Sequence, residues 1–214
     1  MWRVGGRSRI DMMRPSMQVI LIALAVQGCA SSDRSASSIS PARYSATDVD
    51  QRDTALARKE NLLGLNLLQL EKHPDAETHL QKALTADILY GPAHNNLGTL
   101  YFRQAKFYLA ATEFQYAGKL MPRQPEPRNN LGLVFEATGK MNDAIAFYDK
   151  AVALDPENPE FVGNSARARF RRGDQSEEFR EMLARLVATD PREEWVDWAR
   201  QTLKKTGRAS TTKP

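Results

Sequence analysis

A register of 34 residues runs through the middle of the chain and constrains its fold more than any other feature. Leu63-Gly64, Leu97-Gly98 and Leu131-Gly132 are each 34 apart. Ala76, Ala110 and Ala144 keep that spacing, as do Leu80, Phe114 and Tyr148, and then Ala83, Ala117 and Ala151. Four columns over three copies set units at 57–90, 91–124 and 125–158. A unit of this length cannot bury its own apolar face, so its copies must stack into a solenoid.

The columns describe a helix–turn–helix. Small residues (Gly98 and Ala110, Gly132 and Ala144) let two helices approach, and large ones (Tyr101 and Phe114, Phe135 and Tyr148) fill the space around the contact. Gly139-Lys140 marks the end of a first helix, where a glycine relieves the left-handed turn. Pro122 and Pro156 keep the second helix from running on.

The order Leu-Gly, aromatic, Ala, aromatic, Ala, Pro resembles the tetratricopeptide-repeat (TPR) consensus. The second copy supplies Leu97, Gly98, Tyr101, Ala110, Phe114, Ala117 and Pro122, and the third Leu131, Gly132, Phe135, Ala144, Tyr148, Ala151 and Pro156. The first copy departs at two columns, with Leu67 for the aromatic and Ile88 for the proline. The resemblance implies an all-α fold, an α-solenoid of stacked helical hairpins. A fourth, degenerate copy is expected over 159–190, because Gly173-Asp174 follows Gly139-Lys140 by 34 residues. Its packing columns look decayed, with Ser165-Ala166 for Leu-Gly and Arg169 in the aromatic column. Asp190-Pro191-Arg192-Glu193 resembles an N-cap, an N1 proline and a capping-box acid. A capping helix over 191–206 follows, with Trp195, Trp198, Ala199 and Leu203 as its apolar stripe, and 207–214 reads as a disordered tail.

Counting each unit from its first residue, positions 2, 5, 6, 9 and 13 share one face of the first helix. In TPR proteins that face lines the concave groove where extended peptides or partner helices bind. Here it carries Asn61, then Asn95, Asn96, Thr99 and Arg103, then Asn129, Asn130 and Leu133, then Asn164, Arg167 and Arg171. Asn96, Asn130 and Asn164 repeat at 34, and a carboxamide both donates and accepts. The column resembles the asparagine ladder of some peptide-binding TPR superhelices. It reads equally as Asn bonding to neighbouring backbone to hold one repeat against the next. The groove lacks the Lys/Asn/Arg carboxylate clamp of chaperone-tail-binding TPRs: Leu65 replaces its first Asn and no lysine faces the groove. Arg167 and Arg171 are expected to be solvated or to meet an acidic partner.

The amino terminus reads as an address. A basic region ending at Arg14 precedes eight consecutive apolar residues, Val19 to Val26, and then Gln27, Gly28 and Cys29. The run is shorter than the roughly 20 residues a spanning helix needs, so residues 1–28 are expected to be a signal peptide. Cys29, the single cysteine, resembles the lipidated first residue of bacterial lipoproteins, although Val26 and Gln27 depart from the preferred Leu and small residue. The resemblance implies a lipid anchor at Cys29. The stretch after it is rich in Ser, Ala, Arg and Asp and lacks a sustained apolar period, so 29–53 reads as the lipidated cysteine and a flexible linker. Ala30 in place of an aspartate implies outer-membrane sorting, facing the periplasm. Met12, Met13 and Met17 are alternative starts.

The net charge of +4 does not point to nucleic acid, because residues 1–28 hold Arg3, Arg7, Arg9 and Arg14 against Asp11. The remainder has 26 basic and 25 acidic residues, too balanced for a phosphate-binding face. One cysteine and three histidines (His73, His79, His94) make no metal motif, and no P-loop or nucleophile elbow is present. Neither cofactor nor catalysis is expected. The expected function is an interaction scaffold for a protein or peptide in the cell envelope, with pilus or secretion-system assembly as the class this build resembles. Two other roles stay open at this point: an accessory that positions an envelope enzyme such as a peptidoglycan hydrolase, and a general folding helper. Four hairpins equally allow a homodimer.

Overall fold

The computed structural model describes residues 52–209, and every element among them is a helix. In order these are α1 (Thr54–Gln69), α2 (His73–Ala86), α3 (Gly91–Arg103), α4 (Phe107–Leu120), α5 (Glu126–Ala137), α6 (Met141–Leu154), α7 (Pro159–Arg172), α8 (Glu177–Thr189) and α9 (Glu193–Ala209). Asp53 starts the first by accepting from the Leu56 N–H at 2.8 Å, which satisfies one of the orphan donors of a helix start. The signal peptide, Cys29 and all but the end of the linker lie outside the described residues.

Each odd-numbered helix packs on the even one that follows it and, across the repeat boundary, on the even one before it. The odd helices α1, α3, α5 and α7 also touch one another in sequence. Comparable contact between even helices does not occur, so the odd helices lie on the shorter, inner side of the stack.

Glycine decides how close a hairpin closes. A Cβ on Gly64 would come within 2.7 Å of Leu80, and one on Gly98 within 2.7 Å of Phe114. The Gly132 position is equally tight against the Tyr148 ring. Leu80, Phe114 and Tyr148 are buried as a result, and so are Ala76, Ala110 and Ala144 one turn earlier on the same helices. Burial of one such large side chain stabilises by roughly 1.5–3 kcal/mol.

All four hairpin turns use a left-handed residue at the same register: Glu71 (φ 58°), Ala105 (φ 56°), Gly139 (φ 77°) and Gly173 (φ 81°). In each, the next N–H reaches back to a carbonyl inside the helix, as Lys106 to Tyr101 and Lys140 to Phe135, both at 2.9 Å. That bond is the Schellman closure. The third and fourth turns have the glycine such a turn favours, whereas the first two impose the conformation on Glu and Ala.

The fourth hairpin corrects the expectation of decayed packing. Asp174 and Ser176 cap a longer turn, and the columns of Ala144, Tyr148 and Ala151 reappear one residue late as Phe179, Leu183 and Leu186, all buried. Arg169 stands in the aromatic column but is itself buried, because it bonds to Asp149 (2.8 Å), Glu178 (2.9 Å) and Asp174 (3.3 Å). The last helix also differs from its expected bounds. Asp190 accepts from the Arg192 backbone and side chain and delays the helix to Glu193. Its backbone then continues through Gly207 to Ala209, where a stop and tail were expected. A helical glycine costs only about 1 kcal/mol and does not end a helix unless it turns left-handed.

The ends of the stack differ. Leu97 and Leu131 are 3% and 4% exposed because a preceding even helix covers them, whereas Leu63, in the same column of α1, is 40% exposed. At the other end α9 covers α8, burying Ala199 and Thr202. Trp195 packs over Gly163 and under the Arg192 guanidinium, 4.5 Å from its ring centre, and Trp198 meets Phe170 edge-on. The Trp pair thus packs the cap, as its place in the apolar stripe implied.

Candidate functional site

The asparagines of the inner face join the repeats in a ladder. Asn96 Nδ2 donates to Asn61 Oδ1 at 2.8 Å, Asn130 to Asn95 at 3.0 Å, and Asn164 to Asn129 at 2.9 Å. Position 6 of each repeat therefore reaches position 5 of the repeat before it, a separation of 35 and not 34. The bonds run side chain to side chain, where a bond to neighbouring backbone was the expected structural role. Asn61, Asn129 and Asn164 are buried, and Asn95, Asn96 and Asn130 are half-buried.

Each bond uses one donor and one acceptor, so every carboxamide retains capacity. Asn96 and Asn130 form no further hydrogen bond among the described residues, which leaves both Oδ1 atoms available on the inner face. Thr99, between them, is half-buried and donates only to the Asn95 carbonyl of its own helix, at 3.0 Å. Leu133 is half-buried and packs on the core formed by α6 and α7.

The predicted arginines are engaged within the chain. Arg103 donates to the Leu68 carbonyl at 2.9 Å, closing the end of α1 from the next repeat. Arg167 bonds Glu136 Oε2 at 3.2 Å, and Arg171 bonds Glu136 Oε1. Tyr148 donates to the same Oε2 at 2.6 Å. Burial first, and then the Glu136 carboxylate, push the Tyr148 hydroxyl well above its ordinary pKa, so it remains a donor. Arg167 and Arg171 are thus neither freely solvated nor unpaired.

Family models of the tetratricopeptide repeat match residues 61–119 and 125–158. The chain is a tetratricopeptide-repeat protein. This TPR chain is 29% identical over 100 residues to the tetratricopeptide repeat domain-containing protein PYG7, chloroplastic, of Arabidopsis thaliana. The match covers 45% of this chain and 33% of the relative, so the chain spans about a third of that protein's length. Among solved structures, pilF of Pseudomonas aeruginosa is similar with a TM-score of 0.61 at 19% identity, over 73% of this chain and 76% of that one. YrrB, a TPR protein with an unusual peptide-binding site, is similar with a TM-score of 0.56 at 21% identity, over 70% and 76%. The first TPR of Spaghetti (RPAP3), bound to an HSP90 peptide, gives 0.55 at 21%, over 58% and 98%. At these identities the structural likeness speaks to the fold.

Among the described residues no cluster of His, Cys, Asp and Glu is arranged to hold a metal, and no helix is long and apolar enough to cross a membrane. His94 is buried between Glu113 (2.6 Å) and the Ile88 carbonyl (2.9 Å) and stacks on Tyr116, a packing role. His79 pairs with Glu60 at 2.7 Å, over the same separation of 19 residues.

Glu136 was not legible as part of this face, because a lone glutamate near a helix end reads as solvated charge. The signal that reveals it is the 35-residue offset, which relates Glu136 to Arg171 as it relates Asn61 to Asn96 and Leu68 to Arg103.

Proposed function

We propose that the chain is a lipid-anchored adaptor of a bacterial cell envelope whose inner TPR face holds an extended peptide or a partner helix. The observation that carries this reading is the asparagine ladder. Asn96 and Asn130 keep free acceptors beside Thr99, a chemistry that pairs with peptide amides whatever the peptide's sequence. The place of Cys29 after the apolar run supports the anchor. Several acyl chains, each gaining about 0.8 kcal/mol per buried methylene, would hold it to the outer membrane facing the periplasm. Pilus or secretion-system assembly is the process we propose it serves.

The test is affinity capture of the full-length tagged protein from envelope extract. Capture of an assembly-machine component by wild type, reduced at least tenfold by Thr99→Arg, is the expected result. Thr99→Arg fills the face while leaving all six ladder asparagines in the sequence, and Asn96→Ala with Asn130→Ala supplies the second comparison. Recovery of a peptidoglycan hydrolase instead, or capture indifferent to these changes, would refute the reading. Unchanged membrane association of Cys29→Ser would remove the anchor from it.

A further inference from the structure

The junction between the second and third repeats differs from its neighbours. A cleft of about 320 Å³ opens there between α4, α5 and α6, lined by Gly118, Lys119, Arg128, Leu131, Phe147 and Lys150. The corresponding places are filled elsewhere. Where Gly118 stands, the repeat before has Leu84, buried at 3%, and the repeat after has Val152, packed on the core of α7 to α9. Where Arg128 stands, the other junctions place His94 and Val162, both buried. A Cβ on Gly118 would meet only Pro127, at 3.8 Å, so the space is real and local packing does not require the glycine.

Charge concentrates at the same junction. Thr85 and Ala153 occupy the places equivalent to Lys119. None of Lys119, Arg128 and Lys150 has a carboxylate partner among the described residues. Arg128 donates only to the Gln124 carbonyl, at 2.9 Å. The Lys150 ammonium lies 4.5 Å from the Phe147 ring centre and that of Lys119 5.7 Å from the Tyr116 ring centre. The arginines of the fourth repeat present the contrast, since Arg167, Arg169, Arg171 and Arg172 all bond to carboxylates. No residue lining the cleft is acidic. Three cations brought together around an apolar floor, Leu131 and Phe147, repel one another. An anion seated there relieves that repulsion.

We propose that this cleft binds an acidic segment of a partner protein carrying an aromatic or aliphatic side chain. The apolar side chain sits against Leu131 and Phe147 in the space Gly118 leaves, and its flanking carboxylates meet Lys119, Arg128 and Lys150. Phe147 is a preformed wall, stacked on Phe135 with centroids 5.2 Å apart. The cleft shares no lining residue with the inner face, so a scaffold of this build can engage two partners at once.

The probe is the peptide acetyl-Glu-Glu-Phe-Glu-Glu-amide, titrated into the full-length protein in detergent and followed by amide shifts. The expected result is binding with shifts confined to residues 115–131 and 147–150, weakening as salt rises. Lys119→Glu with Lys150→Glu should weaken it more than tenfold. Gly118→Leu should also weaken it more than tenfold while raising or keeping the melting temperature, because it supplies the side chain that Leu84 provides one repeat earlier. Equal binding of the Gln-Gln-Phe-Gln-Gln peptide overturns the proposal, as does binding that survives Gly118→Leu. Shifts centred on Asn96 and Thr99 overturn it too and assign the peptide to the inner face. Capture by phosphatidylglycerol vesicles through these three cations, with no binding of the peptide, overturns it in favour of a membrane surface.

Discussion

Asn164 donates to Asn129 at 2.9 Å from one inner helix to the next, and both side chains are buried. No other rung of the ladder has both of its ends buried. A buried carboxamide that loses its partner is left with an unmet polar group, at a cost of about 1–3 kcal/mol. Asn129→Ala and Asn164→Ala should each lower stability by that amount in urea unfolding. The double variant should cost clearly less than the sum, since it leaves neither group stranded. Simple additivity would show that the rung contributes nothing to repeat coupling. The half-buried members, Asn95 and Asn96, should lose less.

The left-handed turn residues yield a prediction that ordinary contacts would not. A non-glycine residue in this conformation costs roughly 1–2 kcal/mol. Glycine recovers most of that but adds about 0.4–1 kcal/mol of unfolded-state entropy. Ala105→Gly, at φ 56°, should therefore stabilise by about 0.5–1 kcal/mol, and Glu71→Gly similarly. Gly139→Ala, at φ 77° with open space around it, should destabilise by a comparable amount. Thermal melts of the three variants decide the matter, and a loss on Ala105→Gly would contradict it.

The same substitution should have opposite signs at two helical glycines. Gly98→Ala puts a methyl 2.7 Å from the Phe114 ring, and the hairpin must open to admit it. Overpacking of this kind costs about 1–3 kcal/mol. Gly118→Ala meets nothing closer than 3.8 Å and gains helix propensity of about 0.5–1 kcal/mol. Melting temperatures should move down for the first and up for the second.

Much of the stack was legible in the sequence, because hairpin closure is a local matter of small against large residues at fixed spacing. Gly98, Ala110 and Phe114 announce their contact directly. The links between repeats were harder to read. The columns repeat at 34, but inner-face contacts join residues 35 apart, so the partners in a rung do not share a column. The fourth hairpin looked degraded because one inserted residue moves Phe179, Leu183 and Leu186 out of register, although all three are buried. Glu71 and Ala105 carry no signal for a left-handed turn, since their residue types argue against one. The cleft beside Gly118 escapes a sequence reading altogether, because it depends on what is missing between three helices.

Acid should loosen the fourth repeat first. Asp174 is mostly buried, which opposes its ionisation, but the Ser176 N–H and hydroxyl and the Arg172 and Arg169 guanidiniums outweigh that. Its pKa falls from 3.8 to about 2. Asp190 is held below its ordinary value by its hydrogen bonds to Arg192. A carboxylate depressed in the folded state stabilises fully above its unfolded pKa, and that stability is lost as pH falls toward the folded one. Asp174 should therefore contribute its full effect above about pH 4 and lose it between about pH 4 and pH 2. After solvent screening the loss is on the order of 1 kcal/mol. Amide exchange should show α7 and α8 opening in this window ahead of α3 and α4. Asp174→Asn should flatten the acid dependence while lowering stability at neutral pH, because Arg169 then loses one of its three carboxylates. An unchanged acid limb in that variant would place the loosening elsewhere.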